Sequence, residues 1–318
     1  MSSFTLKGIQ EVVYSTGGLD KARSLFESYG GWNVVDAGAV SKEILAFWEV
    51  EEGGTAEAVL LQSNHHPTGQ LRLVQFSGLE QQYIRSSQQP WDTGGIMDIN
   101  LRVHEVPTTF DHLRELGWHG LSDPLLQSMG PFTLYDVLMR GPDDTIVAFT
   151  HRLEPPMDLS ASIAFPSHIY NSSIVVKDLE EALTFYQNKL GCHLLNSYQV
   201  KKDSPQENMF GLPFNVVTEV LTHAHILSFD GSRDTIFQIV SFEGVEGKDF
   251  SSVSRPPNRG WLLYRVEVEG IAAYYDQLQL QGVEMLSTLQ SIVLSPYGER
   301  KIFALMSPNG VWWEFFGK

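Results

Sequence analysis

Glu314 stands inside an apolar run, Val311-Trp312-Trp313-Glu314-Phe315, that follows the turn residues Pro308-Asn309-Gly310. Turn formers ahead of aromatic and β-branched residues predict a short strand. Side chains alternate along a strand, so Glu314 and Trp312 share one face and Trp313 and Phe315 the other. A lone carboxylate among aromatics is costly to bury unless something pairs with it. Burial would also raise its pKa and suit it to general-base work. A second candidate is the His223-Ala224-His225 triplet, which runs into Ile226 and Leu227. On a strand both rings point the same way, as a metal pair or an acid/base site would need, or as two histidines on a solvent face would equally show. Tyr297 opens a Tyr-Gly pair ahead of the final hairpin. The single cysteine, Cys192, follows a helix stop with no base nearby in sequence, which suits a buried thiol. No glycine-rich phosphate loop or nucleophile elbow is present in the sequence.

The elements that must position these residues repeat. Four amphipathic stretches predict helices over Leu19–Tyr29, Pro107–Leu116, Leu179–Leu190 and Ile271–Gln281. Each is followed by a glycine, Gly30, Gly117, Gly191 and Gly282, as expected of a C-terminal stop in the left-handed conformation. Four closing strands end on Phe76, Phe149, Phe242 and Phe315. The spacing is 73 within each half (149 − 76 and 315 − 242) and 166 between halves (242 − 76 and 315 − 149). The chain is therefore read as two similar halves, each of two modules. Expected boundaries are an N-terminal domain over 1–153, a linker over 154–167 rich in Pro and small polar residues, and a C-terminal domain over 168–318.

Bulk properties narrow the classes. The chain has 318 residues, 42% hydrophobic and 19% charged, enough for two ordinary cores. A net charge of −16 without a basic cluster argues against a nucleic-acid partner. No apolar run is long enough to span a bilayer and the first residues lack a signal-peptide core, so a cytoplasmic location is expected.

A strand–helix–three-strand module in four copies resembles the vicinal oxygen chelate superfamily, which includes glyoxalase I, type I extradiol dioxygenases and bleomycin-resistance proteins. The phrases that carry the resemblance are Ser173-Ile174-Val175-Val176-Lys177-Asp178-Leu179-Glu180-Glu181-Ala182-Leu183-Thr184-Phe185-Tyr186 with Leu190-Gly191, and Tyr297-Gly298 with Ser307-Pro308-Asn309-Gly310 and Glu314. The resemblance implies an α+β fold of four βαβββ modules forming two cup-shaped half-barrels. It implies four positions on each cup floor for a divalent metal (Fe, Mn, Ni, Zn or Mg) that chelates two substrate oxygens. It also allows the cups to form within one chain or across a homodimer.

Counting back 19 or 20 residues from the helix-terminal glycines places the opening-strand positions at Glu11, Asp98, Asn171 and Leu263. The residue before each closing Phe gives Gln75, Ala148, Ser241 and Glu314. The expected first cup is Glu11, Gln75, Asp98 and Ala148, with Gln10 as an alternative to Glu11; the second is Asn171, Ser241, Leu263 and Glu314. Leu263 cannot ligate, and Asn171 stands where an extradiol dioxygenase has a histidine. The oxygen donors Glu11, Gln75 and Asp98 suit a hard cation. The expected roles are Glu314, Tyr297 and His225 in catalysis, Asn171, Ser241, Trp312 and His223 in substrate binding, and Glu314, Glu11, Gln75 and Asp98 at a metal. Two readings follow: a superfamily lyase, isomerase or dioxygenase-like enzyme acting on a small apolar or aromatic oxygen-bearing molecule, or a metal-free protein that sequesters such a molecule without chemistry.

Overall fold

The computed structural model describes residues 3–63, 66–129, 132–156 and 166–318. Most of the expected linker, 157–165, lies outside the described residues. Module one contributes strands β1 (Thr5–Ser15), β2 (Asn33–Ala39), β3 (Thr55–Gln62) and β4 (Gln70–Ser77). Module two contributes β5 (Asp98–Arg102), β6 (His119–Gly120), β7 (Leu125–Met129), β8 (Phe132–Arg140) and β9 (Ile146–Glu154). Module three contributes β10 (Asn171–Val175), β11 (His193–Lys201), β12 (Leu221–Ser228) and β13 (Phe237–Glu243). Module four contributes β14 (Gly260–Glu269), β15 (Gln290–Leu294), β16 (Gly298–Met306) and β17 (Trp312–Gly317).

Helices fall where the periodicity puts them. Leu19–Ser24 and Leu179–Leu183 each run on into a wider π-type turn, and Val106–Glu115 and Ile271–Leu280 are regular. The predicted stops at Gly117, Gly191 and Gly282 have φ of 85°, 79° and 69°. In module one the left-handed residue is Gly31, at 63°, one position later than expected, because the helix keeps its last turn through Gly30.

The strands assemble into two curled sheets, with order β15-β16-β17-β14-β1-β4-β3-β2 in one and β11-β12-β13-β10-β5-β9-β8-β6 in the other, β7 pairing with β8. Each sheet therefore takes one module from each half of the chain: one and four, two and three. This corrects the expectation that successive modules share a cup. A physical reason is length. The opening strands β1 and β14 have 11 and 10 residues and pair antiparallel, whereas β5 and β10 have five each and pair with one another. One apolar core takes the outer faces of both sheets with the four helices; Trp313, Phe315, Tyr186, Tyr264 and Phe149 lie in it. The concave faces are left as two cups, both closed within a single chain.

Candidate functional site: one locked cup and one hollow cup

Across the seam of the first cup Glu11 is paired with Arg265, and on the parallel side Arg265 lies beside Glu314 and Glu11 beside Gln70. Around this local twofold the four floor positions are Glu11, Gln70, Arg265 and Glu314. All four are buried. The Arg265 guanidinium occupies the middle. Its Nη1 donates to Glu11 Oε2 at 2.7 Å, and its Nε and Nη2 donate to Glu314 Oε2 at 2.7 and 2.6 Å. Arg72 clasps Glu11 from the other side, Nε to Oε2 at 2.7 Å and Nη2 to Oε1 at 2.9 Å. The Tyr297 hydroxyl donates to Glu11 Oε1 at 2.6 Å, and the Trp48 indole N–H donates to Glu314 Oε1.

Two carboxylates and two guanidiniums thus fill the cup, with a third carboxylate, Asp36, 3.5 Å from Arg72 Nη1. Burial alone pushes Glu11 up, but Arg72 and Arg265, with hydrogen bonds from Arg72 and Tyr297, hold it down to about 2. Burial would lower Arg265, but Glu314 and Glu11 raise it above its ordinary value. Burial and the neighbouring Glu11 push the Tyr297 phenol well up, so this hydroxyl is a fixed donor at any ordinary pH.

In the second cup the antiparallel seam pairs Asn171 with Asn100, and Asn100 lies beside Ala148 across the parallel ladder. Continuing the register from the Ser173–Gln238 pair places Ile236 beside Asn171. The four floor positions are Asn100, Ala148, Asn171 and Ile236. All line a cavity of about 630 Å³. Its walls are largely apolar, with Leu134, Leu138, Ala224, Ile226 and Val240 facing inward, and the connection between β11 and β12 roofs it with Met209, Phe210 and Phe214. The corresponding connection of module one holds the short helix Lys42–Phe47 and carries Trp48 into the first cup. Equivalent connections therefore plug one cup and roof the other.

The hollow cup contains two buried carboxyls, Asp98 and Asp136. Burial pushes each up to about 6. Asp98 Oδ1 accepts from Asn100 Nδ2 at 2.8 Å; Asp136 Oδ2 accepts from Gln127 Nε2 at 2.8 Å. Rim apolar groups stand in solvent, Phe214 59% and Leu126 56% exposed, as expected of a surface that a ligand covers.

The expected site residues divide among these places. Glu11, Glu314, Tyr297 and Trp312 do meet, in the locked cup. Tyr297 is held by a carboxylate, neither by backbone nor on an open substrate face. Asp98 and Asn171 meet in the hollow cup. The proposed metal set of Glu314, Glu11, Gln75 and Asp98 is corrected, because it spans both cups and one outer face. Gln75 faces the helix side, where its Oε1 accepts from Leu19 N at 3.1 Å. Ser241 lies in a groove beside Asp178 and Leu179, on the face opposite Val240. His223 and His225 alternate with the inward Thr222, Ala224 and Ile226, so they sit outside the cup. His223 Nε2 lies 2.8 Å from Glu243 Oε1 and His225 Nδ1 lies 2.9 Å from Ser197 Oγ. Leu263 pairs with Trp312 and the floor residue is Arg265, two positions on.

Arg265, Arg72, Trp48, Asn100 and Asp136 were not singled out by counting. Arg265 and Arg72 carried the same signal as Glu314, a single charge inside an apolar strand: Trp261-Leu262-Leu263-Tyr264-Arg265-Val266 and Leu71-Arg72-Leu73-Val74.

Neither floor suits a divalent metal. In the locked cup a guanidinium, which does not deprotonate, already holds the carboxylate oxygens a metal would need. In the hollow cup the floor offers two amides and two aliphatic side chains. Among the described residues no three of His, Cys, Asp and Glu gather to hold a metal ion.

Residues 167–315 match the family model of the Glyoxalase/Bleomycin resistance protein/Dioxygenase superfamily. Glyoxalase I from Zea mays superposes with a TM-score of 0.62 at 15% identity, covering 99% of this chain and 92% of that one. A mutant of the same maize enzyme gives 0.64 at 15% identity with the same coverage. A Bacillus subtilis protein provisionally described as a dioxygenase gives 0.60 at 8% identity, covering 98% and 86%. At these identities the likeness shows the fold alone. A search of curated proteins by sequence returns no match. Among the described residues no helix is long and apolar enough to cross a membrane.

Proposed function

We propose that the protein binds a small, largely apolar organic molecule in the cup of modules two and three, without a divalent metal, while the cup of modules one and four serves as a structural lock. One observation carries this reading: the two cups share a plan, yet one floor is closed by Arg265 between Glu11 and Glu314, and the other opens into about 630 Å³ of apolar-walled space. That volume is in the range of small-molecule sites. Of the two readings open at the sequence level, this favours the metal-free one. Asp98 gives it an enzymatic extension. A carboxyl poised at about 6 in a cavity can take or return a proton near neutral pH, should the ligand carry one to exchange.

Binding of the neutral dye Nile red tests the reading. Saturable fluorescence enhancement is expected with the wild-type chain, unchanged by chelator and lost in Ala148→Trp, which fills the cavity floor. Undiminished dye binding by Ala148→Trp would refute it.

A further inference from the structure

The polar groups of the hollow cup are arranged in one direction. Asp98 Oδ1 accepts from Asn100 Nδ2, and Asn100 Oδ1 accepts from Asn171 Nδ2 at 3.3 Å. The carboxylate at the head of this relay fixes both amide orientations, since an ionised carboxylate can only accept. The relay ends on Asn171 Oδ1, which has no partner. On the neighbouring wall Gln238 Nε2 donates to Ser173 Oγ at 2.7 Å, and Gln127 Nε2 is taken by Asp136 Oδ2. Asp136 Oδ1 is left without a partner, in a residue only 6% exposed. Each amide of this floor and wall gives an N–H to a neighbour, and the buried side-chain atoms of the cup left without any partner, Asn171 Oδ1 and Asp136 Oδ1, are acceptors.

No Lys, Arg or His forms an ion pair with Asp98 or Asp136 among the described residues; the buried Arg85 favours ionised Asp98 through space, and the cations lining the cavity, Lys202 and Arg233, lie just past β11 and in the loop before β13. An orphaned acceptor in a low-dielectric wall is unfavourable until a donor reaches it. A buried carboxylate favours that donor being charged.

Resting on the reading that this cup is the ligand site, we infer that its ligand is an organic cation: an apolar or aromatic body under the Phe210–Phe214 roof, with a protonated amine directed at Asp136 Oδ1. The free Asn171 oxygen accepts a second donor, such as a hydroxyl, from the same molecule. Negative headgroups are rejected by the same two carboxyls.

Three probes with one ring system and different heads separate the possibilities: naphthylmethylamine, naphthylmethanol and naphthoic acid, titrated calorimetrically into the full chain in mildly alkaline buffer. The amine is expected to bind at least about ten-fold more tightly than the alcohol, the scale of one partly desolvated charge pair, and the acid not to bind. In Asp136→Asn the amine and the alcohol should bind alike, with the alcohol's affinity retained as evidence of an intact cavity. Equal binding of amine and alcohol by the wild type, or an amine preference that survives Asp136→Asn, would overturn the cation assignment while leaving the pocket in place. Binding of none of the three, or binding that persists in Ala148→Trp, would overturn the pocket itself.

Discussion

Arg265 and Glu11 come from opening strands 254 positions apart and meet at 2.7 Å across the seam that joins the first module to the last. The same guanidinium holds Glu314, so the cation of this cup is supplied by the chain itself. Replacing Arg265 by Met would leave Glu11 with Arg72 and Tyr297, and Glu314 with Trp48 alone and no cation. Loss of one member of a buried ion pair costs roughly 3–5 kcal/mol. Urea unfolding should show a midpoint shift of that size in Arg265→Met; an unchanged midpoint would mean the network is not what holds the seam.

Acid should loosen the same cup. Glu11 has a folded value of about 2 against an ordinary 4.5, so it stabilises the fold above the unfolded value and loses that contribution as pH falls from about 4.5 toward 2. The linkage amounts to about 3 kcal/mol. Stability measured across that window should drop for the wild type and much less for Glu11→Gln, which is weaker from the start. Parallel curves for the two proteins would contradict this.

Asp136 has the opposite sign. Its folded value is about 6 against an ordinary 3.8, so burial of the charged form costs stability as pH rises from about 4 to 6, and the cost is complete above that. Asp136→Asn should therefore be more stable than the wild type near neutral pH, by up to about 3 kcal/mol before the new N–H donors are counted, and the gain should vanish near pH 4. A gain of equal size at both pH values would show that charge burial is not the cause.

Trp48 closes the locked cup and donates to Glu314. Trp48→Phe keeps most of the ring but leaves Glu314 Oε1 without its donor, a loss of about 1–3 kcal/mol. Thermal unfolding should register it, and Nile red binding should be untouched because the dye's cavity is in the other sheet. Loss of dye binding would indicate that the two cups act together.

The four modules, their helices and the cup architecture were legible because helical spacing, stop glycines and turn residues are local. The partners of the modules were not. Pairing is decided by strand length and by contacts such as Glu11–Arg265, which no local pattern contains. The closing phenylalanines do not all face the same way. Phe149 and Phe315 pack on the helix side, whereas Phe76 faces the inside of its cup and Phe242 packs against Phe210 of the roof. The 166-residue spacing therefore links true equivalents, and the 73-residue spacing does not. The residue before Phe76 or Phe242 consequently faces outward, and the floor positions fall five residues earlier, at Gln70 and Ile236. Asp136 carries no such signal, because it lies on the middle strand β8, away from the opening- and closing-strand positions.

The metal content of the purified chain tests the central claim most directly. After expression in medium supplemented with iron, manganese, nickel, zinc and magnesium, elemental analysis should find no stoichiometric metal, and the unfolding midpoint should be the same with and without chelator. One metal per chain, released by Glu314→Ala, would contradict the assignment of Arg265 as the cation of the first cup; one per chain that Glu314→Ala retains and Asp98→Asn releases would contradict the metal-free reading of the second.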